Sequence, residues 1–173
     1  MPRTRVDTSA EIRAVAAELF ARQGFEKTSL REVAERLGIT KAALYYHFAS
    51  KADLVRGIVQ PLVDEVEALL AESGGSSAEQ FLADYFDVVL RHRQVYVMVF
   101  RDIASLAQLD LMAQMLDWRD RTYQMLVGED ATPAQIAKAT VAIGGLQDCA
   151  LTEGPPEHFR DAALAAAIAA LRS

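Results

Sequence analysis

Cysteine is nearly absent from this sequence, and the single Cys149 excludes an intrachain disulfide and a cysteine-based zinc site. It is left as a small hydrophobe or a lone thiol. Long apolar runs are missing as well. The longest, Ala162 to Leu171, is mostly alanine and about half of what a bilayer span needs, so no membrane helix is expected. The stretch after Arg3 and Arg5 is broken by Asp7, Glu11, Arg13 and Glu18, which leaves no signal-peptide apolar region and points to the cytoplasm. Histidine is scarce, and none of His47, His92 and His158 follows a glutamate by three residues, which excludes the Glu-x-x-His pairs of carboxylate metal sites in helical bundles. There is no His-Glu-x-x-His, no phosphate-binding glycine loop and no nucleophile elbow. The expectation is therefore a protein that is not an enzyme, with no metal and no cofactor. Strand signals are lacking too: no stretch keeps a period of two between hairpin turns.

What the sequence does contain is helical periodicity almost throughout its 173 residues, with 51% hydrophobic and 24% charged residues, as in ordinary globular chains. The expected fold class is all-α, with nine helices. Ile12, Val15, Ala16, Leu19 and Phe20 form a first amphipathic stripe ended by Gly24. Ser29 with Glu32 opens a short helix stopped by Gly38, and Thr40 caps another from Lys41 to about His47. Ser50 with Asp53 starts a long helix that reaches the Ser/Gly linker at Ser73 to Ser77. Ser77 with Gln80 opens a fifth helix; a sixth is expected over Val95 to Leu106 and a seventh from about Leu109 to Val127. Thr132, Pro133 and Gln135 begin an eighth, to about Leu151, and after Gly154-Pro155-Pro156 a last one runs from Glu157 to Arg172.

The net charge of -6 conceals an asymmetry. Residues 1 to 56 hold ten Lys/Arg against seven acids, net +3, while the remainder holds eight against seventeen, net -9. A basic end on an acidic body can neutralise phosphates locally while the body repels the duplex and orients the encounter. Within that end, Thr28-Ser29-Leu30-Arg31-Glu32-Val33-Ala34-Glu35-Arg36-Leu37-Gly38-Ile39-Thr40-Lys41-Ala42-Ala43-Leu44-Tyr45-Tyr46-His47-Phe48 reads as helix, glycine turn, helix. So short a turn makes the two helices cross steeply and projects the second outward, its N-terminal residues free to enter a major groove. Tyr45, Tyr46 and His47 are consecutive, so they cannot share one helical face and at least one must point outward.

The run from Thr28 through Ala49-Ser50-Lys51-Ala52-Asp53-Leu54 resembles the TetR (tetracycline-repressor-like) family of bacterial regulators. The shared signature is Thr-Ser/Thr-hydrophobe, a glycine turn, Ser/Thr-Lys-x-x-Leu-Tyr-x-His-Phe and x-Ser-Lys-x-x-Leu, with Ala42 where the family often has glycine. The resemblance implies a helix-turn-helix domain over residues 1–50 and a ligand-binding and dimerisation domain over 51–173. It implies operator contacts, mostly to phosphates, at Thr28, Thr40, Lys41, Tyr45, Tyr46, His47 and Lys51, with base reading at Lys41, Ala42 and Tyr45. The expected partners are double-stranded operator DNA, a second copy of the chain and a small-molecule effector, with no membrane.

For the body, the resemblance implies an effector cavity among the fourth to seventh helices, for which Phe86, Val89, Tyr96, Phe100, Trp118 and Tyr123 are the candidate lining. It places the dimer interface on the last two helices. There Gly144, Gly145 and an alanine stripe permit close approach, while Ile143, Leu146, Leu164, Ile168 and Leu171 supply apolar area. Pro61, with Gly57 four residues earlier, marks a candidate bend in the fourth helix. The function that the resemblance implies is that of a repressor released from its operator by a small molecule. The rivals are a ligand-independent helical DNA-binding protein and, behind it, an all-α enzyme.

Overall fold

The computed structural model describes residues 5–102, 111–152 and 154–173. Among these, nine α-helices and one 3-10 turn account for the regular structure, and there is no strand. The helices are α1 (Arg5–Gln23), α2 (Leu30–Leu37), α3 (Lys41–His47), α4 (Lys51–Glu72), α5 (Ala78–Arg91), α6 (Arg93–Arg101), α7 (Leu111–Val127), α8 (Pro133–Leu151) and α9 (Arg160–Arg172), with the 3-10 turn at Pro156–His158. The expected ends of the sixth helix at Leu106 and the start of the seventh at Leu109 lie outside the described residues. The last helix starts later than expected, because the Pro155-Pro156 pair is followed by the 3-10 turn before α9.

Two compact units divide the chain, one from residues 1–61 with 97–112, the other from 62–96 with 113–173. In the first, α2 packs against α1 and α3. Ile12, Ala16, Leu19 and Phe20 of α1 are buried, as are Leu30, Val33 and Ala34 of α2 and Leu44 of α3. Phe48, Leu54, Val55 and Ile58 are buried at the start of α4 and just before it. The Phe48 ring lies so close to α4 that a Cβ at Gly57 would sit 2.8 Å from Phe48 Cε1. Gly57 is thus a packing position as well as a companion of Pro61 in the candidate bend. Pro61 itself is exposed inside α4.

In the second unit α9 packs on α8 and α5, and α5 on α8. Phe81, Leu82, Phe86 and Val89 of α5 are buried, as are the small residues Ala139 and Ala142 of α8 and Ala163 and Ala167 of α9. Two ion pairs pin α9 along α5: Arg160 bridges Asp87 through two bonds of 2.8 Å, and Arg172 Nη2 lies 2.8 Å from Glu79 Oε1. Being partly or largely exposed, such pairs set orientation more than stability. Among the described residues, no helix is long and apolar enough to cross a membrane.

Candidate nucleic-acid interface

The local sequence builds α3 as a short, outward-facing helix held by a single apolar anchor. Thr40, in an extended conformation, accepts the Ala43 N–H and caps it, and Gly38 ends α2 at φ 65°, the left-handed conformation that permits the tight turn. Leu44 is fully buried and Phe48 nearly so. With those two residues facing inward, the helical period turns Lys41, Ala42, Tyr45 and Tyr46 to solvent, as observed.

Tyr46 is 66% exposed and Tyr45 42%, so both large aromatic side chains leave a substantial part of their surface in water. Uncovered aromatic rings beside cations are a common ground for contact with another molecule. Lys41 Nζ lies 5.4 Å from the Tyr45 ring centroid, so these two occupy one edge of α3. The Tyr46 and His47 rings meet edge to face at 5.4 Å on the other. Thr40 is exposed, His47 half-buried.

Thr28 departs from the expectation. Its side chain is 2% exposed, and its hydroxyl donates to the Gly24 carbonyl at 2.9 Å while accepting from Gln23 Nε2 at 3.2 Å. Both of these bonds lie inside the turn between α1 and α2, where they hold the entry to α2. Gln23 extends the same knot by donating to both Glu32 carboxylate oxygens at 2.9 Å. Lys51 also reaches this turn: its ammonium lies 4.1 Å from the Phe25 ring centroid and donates to the Glu26 carbonyl at 3.4 Å. Partial burial lowers its pKa, while Glu26 and Asp102 act to raise it. Sequence reasoning missed Asp102, whose carboxylate accepts the Phe25 N–H at 2.8 Å.

A compact three-helix head whose second helix buries one face, with a left-handed glycine turn and an exposed cation-bearing third helix, has the form of a helix-turn-helix. Residues 12–58 match the family of "Bacterial regulatory proteins, tetR family". The head is thus similar to the DNA-binding segment of that family. The chain is 29% identical over 102 residues to the HTH-type transcriptional repressor KstR2 of Mycobacterium tuberculosis, covering 55% of this chain and 50% of that protein. It is 36% identical over 73 residues to the HTH-type transcriptional regulator TtgR of Pseudomonas putida, covering 42% of this chain and 34% of that one. These matches thus span half or less of those relatives. A solved transcriptional regulator of the TerR/AcrR family from Aquifex aeolicus VF5 superimposes with a TM-score of 0.76 at 23% identity, over 92% of this chain and 96% of the other. That likeness extends the common fold from the head to the helical body.

The body residues singled out from the sequence fall in different places. Phe86, Val89, Tyr96 and Trp118 are buried in the second unit and Tyr123 is half-buried there. Phe100 belongs to the first unit and is 44% exposed. Tyr96 faces a buried polar cluster that the sequence did not reveal: its hydroxyl lies 3.4 Å from that of Tyr85, which accepts Gln147 Nε2 at 2.7 Å. Burial raises the pKa of both phenols, which keeps them protonated and able to donate. Trp118 Nε1 donates to Glu67 at 3.1 Å, and Arg121 pairs with the same carboxylate at 2.8 Å. A cavity of about 410 Å³ in the second unit has Leu126, Val127, Ile168 and Leu171 in its wall with Lys138 and Arg172, and none of the six expected residues.

On the last two helices, Ile143 and Leu146 are buried within the chain and Leu164, Ile168 and Leu171 are half-buried. Ile143 and Leu146 are therefore core residues of the single chain, covered by its own helices, and do not form an outward surface. The large apolar side chains that α8 leaves exposed are Ile136, at 43%, and Val141, at 65%. A Cβ added at Gly144 or Gly145 would meet nothing within 4 Å, so the backbone there lies open to approach.

Proposed function

We propose that this chain is a dimeric DNA-binding transcriptional regulator, a repressor that a small molecule releases from its operator, with residues 1–50 as the DNA-binding domain and 51–173 as the effector and dimer domain. The observation that carries the DNA-binding reading is the outer surface of α3: an exposed lysine and two exposed tyrosines on a helix whose anchor, Leu44, is fully buried. Lys41, Ala42 and Tyr45 enter the major groove, where lysine donates to guanine O6 and N7 and a methyl group meets a thymine methyl. Thr40, Tyr46, His47 and Lys51 bind phosphate oxygens and fix the register. One such head spans few base pairs, so two heads about 34 to 36 Å apart, one helical turn, give useful specificity.

The effector reading is supported by the buried Tyr85, Tyr96 and Gln147 cluster among apolar side chains of the second unit, the mixture by which small-molecule sites fix orientation. An effector that binds the folded chain raises its melting temperature, and one that releases DNA lowers operator affinity in the same titration. Operator affinity and melting temperature unchanged across all metabolite fractions would favour the ligand-independent reading instead.

The test of the DNA-binding reading uses fluorescence anisotropy with the chain's own upstream fragment and a panel of scrambled sites. Tyr46→Ala weakens binding to all sequences alike, whereas Lys41→Ala changes the preference between sequences, each good base contact being worth about 1–3 kcal/mol of discrimination. Equal losses across the panel for both variants contradict the division of roles.

A further inference from the structure

The turn that presents α2 and α3 is fastened by residues that lie far along the chain. Arg101 Nη1 donates to the Ala21 carbonyl at 3.0 Å, in the last turn of α1, where carbonyls have no partner inside the helix. Asp102, the next residue, accepts the Phe25 N–H at 2.8 Å. Between these two points lies Gly24, at φ 90°, where an added Cβ would come to 3.4 Å from Asp102 Oδ2. Two consecutive residues of opposite charge thus meet the two kinds of backbone group exposed where a helix ends: a cation its carbonyl, an anion the N–H beyond it. Both residues cluster with the head in the first unit. The sequence-defined DNA-binding segment, residues 1–50, omits them.

The same turn is touched by Lys51, the first residue of α4, which the proposed function sets against phosphate. Lys51 covers the ring of Phe25, whose N–H Asp102 holds, and bonds the carbonyl of the next residue, Glu26. The acidic charges acting on that ammonium are Glu26 and Asp102. A carbonyl at 3.4 Å is a weak acceptor, readily exchanged for a phosphate oxygen without moving the side chain off the ring.

We infer that Asp102, with Arg101, is a positioning clasp of the DNA-binding head: it fixes the Gly24 to Lys27 turn and, through it, the site from which Lys51 meets the duplex. This rests on the DNA-binding reading for its functional consequence. The clasp itself has an independent signature in the Phe25 amide.

Three variants of the full chain separate the cases. Asp102→Asn keeps an oxygen that accepts the Phe25 N–H, Asp102→Ala removes it, and Lys51→Gln removes the ammonium. By hydrogen exchange, the Phe25 amide opens about tenfold faster in Asp102→Ala, the loss expected for one bond to a charged acceptor, and stays near wild type in Asp102→Asn. By anisotropy at fixed salt, Asp102→Ala binds the upstream fragment about tenfold more weakly and Asp102→Asn recovers most of that loss. Adding Asp102→Ala to Lys51→Gln costs less than adding it to wild type, since the two act through one contact. Unchanged Phe25 exchange in Asp102→Ala overturns the clasp whether or not DNA binds. Operator affinity equal to or tighter than wild type, with Phe25 exchange accelerated, overturns its role in DNA binding. A wild-type chain that ignores its upstream fragment refutes the DNA-binding reading, while the exchange result still decides the clasp.

Discussion

Two glycines of the head serve opposite purposes, and single substitutions separate them. At Gly57 the backbone is ordinary helix but the space is taken: a Cβ would stand 2.8 Å from the edge of the buried Phe48 ring. Alanine gains roughly 1 kcal/mol of helix propensity there and loses about 1–3 kcal/mol to overpacking. The net expectation is a lower urea midpoint for Gly57→Ala, recovered when Phe48→Leu is added, because the shorter side chain vacates the contact. A Gly57→Ala variant as stable as wild type would mean that the ring moves aside at no cost. Residue roles of this kind were the least legible part of the sequence. Gly57 reads from the chain as a companion of Pro61, and Thr28 as a phosphate ligand, because the Phe48 ring and the Gln23 amide that give them their roles are fixed only by packing.

At the scale of elements the sequence is far more explicit, since caps and turns are local. Ser29, Thr40, Ser77 and Thr132 each accept the backbone N–H three residues on, as their positions imply. The reciprocal capping box forms at Thr132 and Gln135, whereas Glu32, the expected partner of Ser29, instead receives the Gln23 amide. Gly38 is the complement of Gly57: nothing lies within 4 Å of an added Cβ, and φ is 65°. Its replacement therefore costs only the left-handed conformation, about 1–2 kcal/mol for alanine and less for asparagine. Urea titrations should rank wild type above Gly38→Asn and that above Gly38→Ala. The opposite order would remove the backbone explanation for this turn. The contacts that escape any local rule join distant segments, as Asp102 does to Phe25 and Gln147 to Tyr85.

At the scale of the whole molecule, the burial of Ile143 and Leu146 moves the argument for a dimer onto Val141, Ile136 and the open backbone at Gly144 and Gly145. Val141 is 65% exposed, so glutamate at that position should change the stability of a lone chain by no more than about 0.5 kcal/mol. In an interface the same change buries an unpaired carboxylate, which is strongly unfavourable. Light scattering of Val141→Glu should therefore give half the wild-type mass while the helical circular dichroism spectrum is unchanged. The consequence for DNA follows from linkage: a tethered second head binds at high effective concentration, and a lone head does not. Operator affinity should fall by orders of magnitude and the slope of log affinity against log salt should drop to about half, because half the phosphate contacts remain. A Val141→Glu chain that keeps its full mass shows that this face of α8 stays in water, and the pairing of heads must then come from another surface.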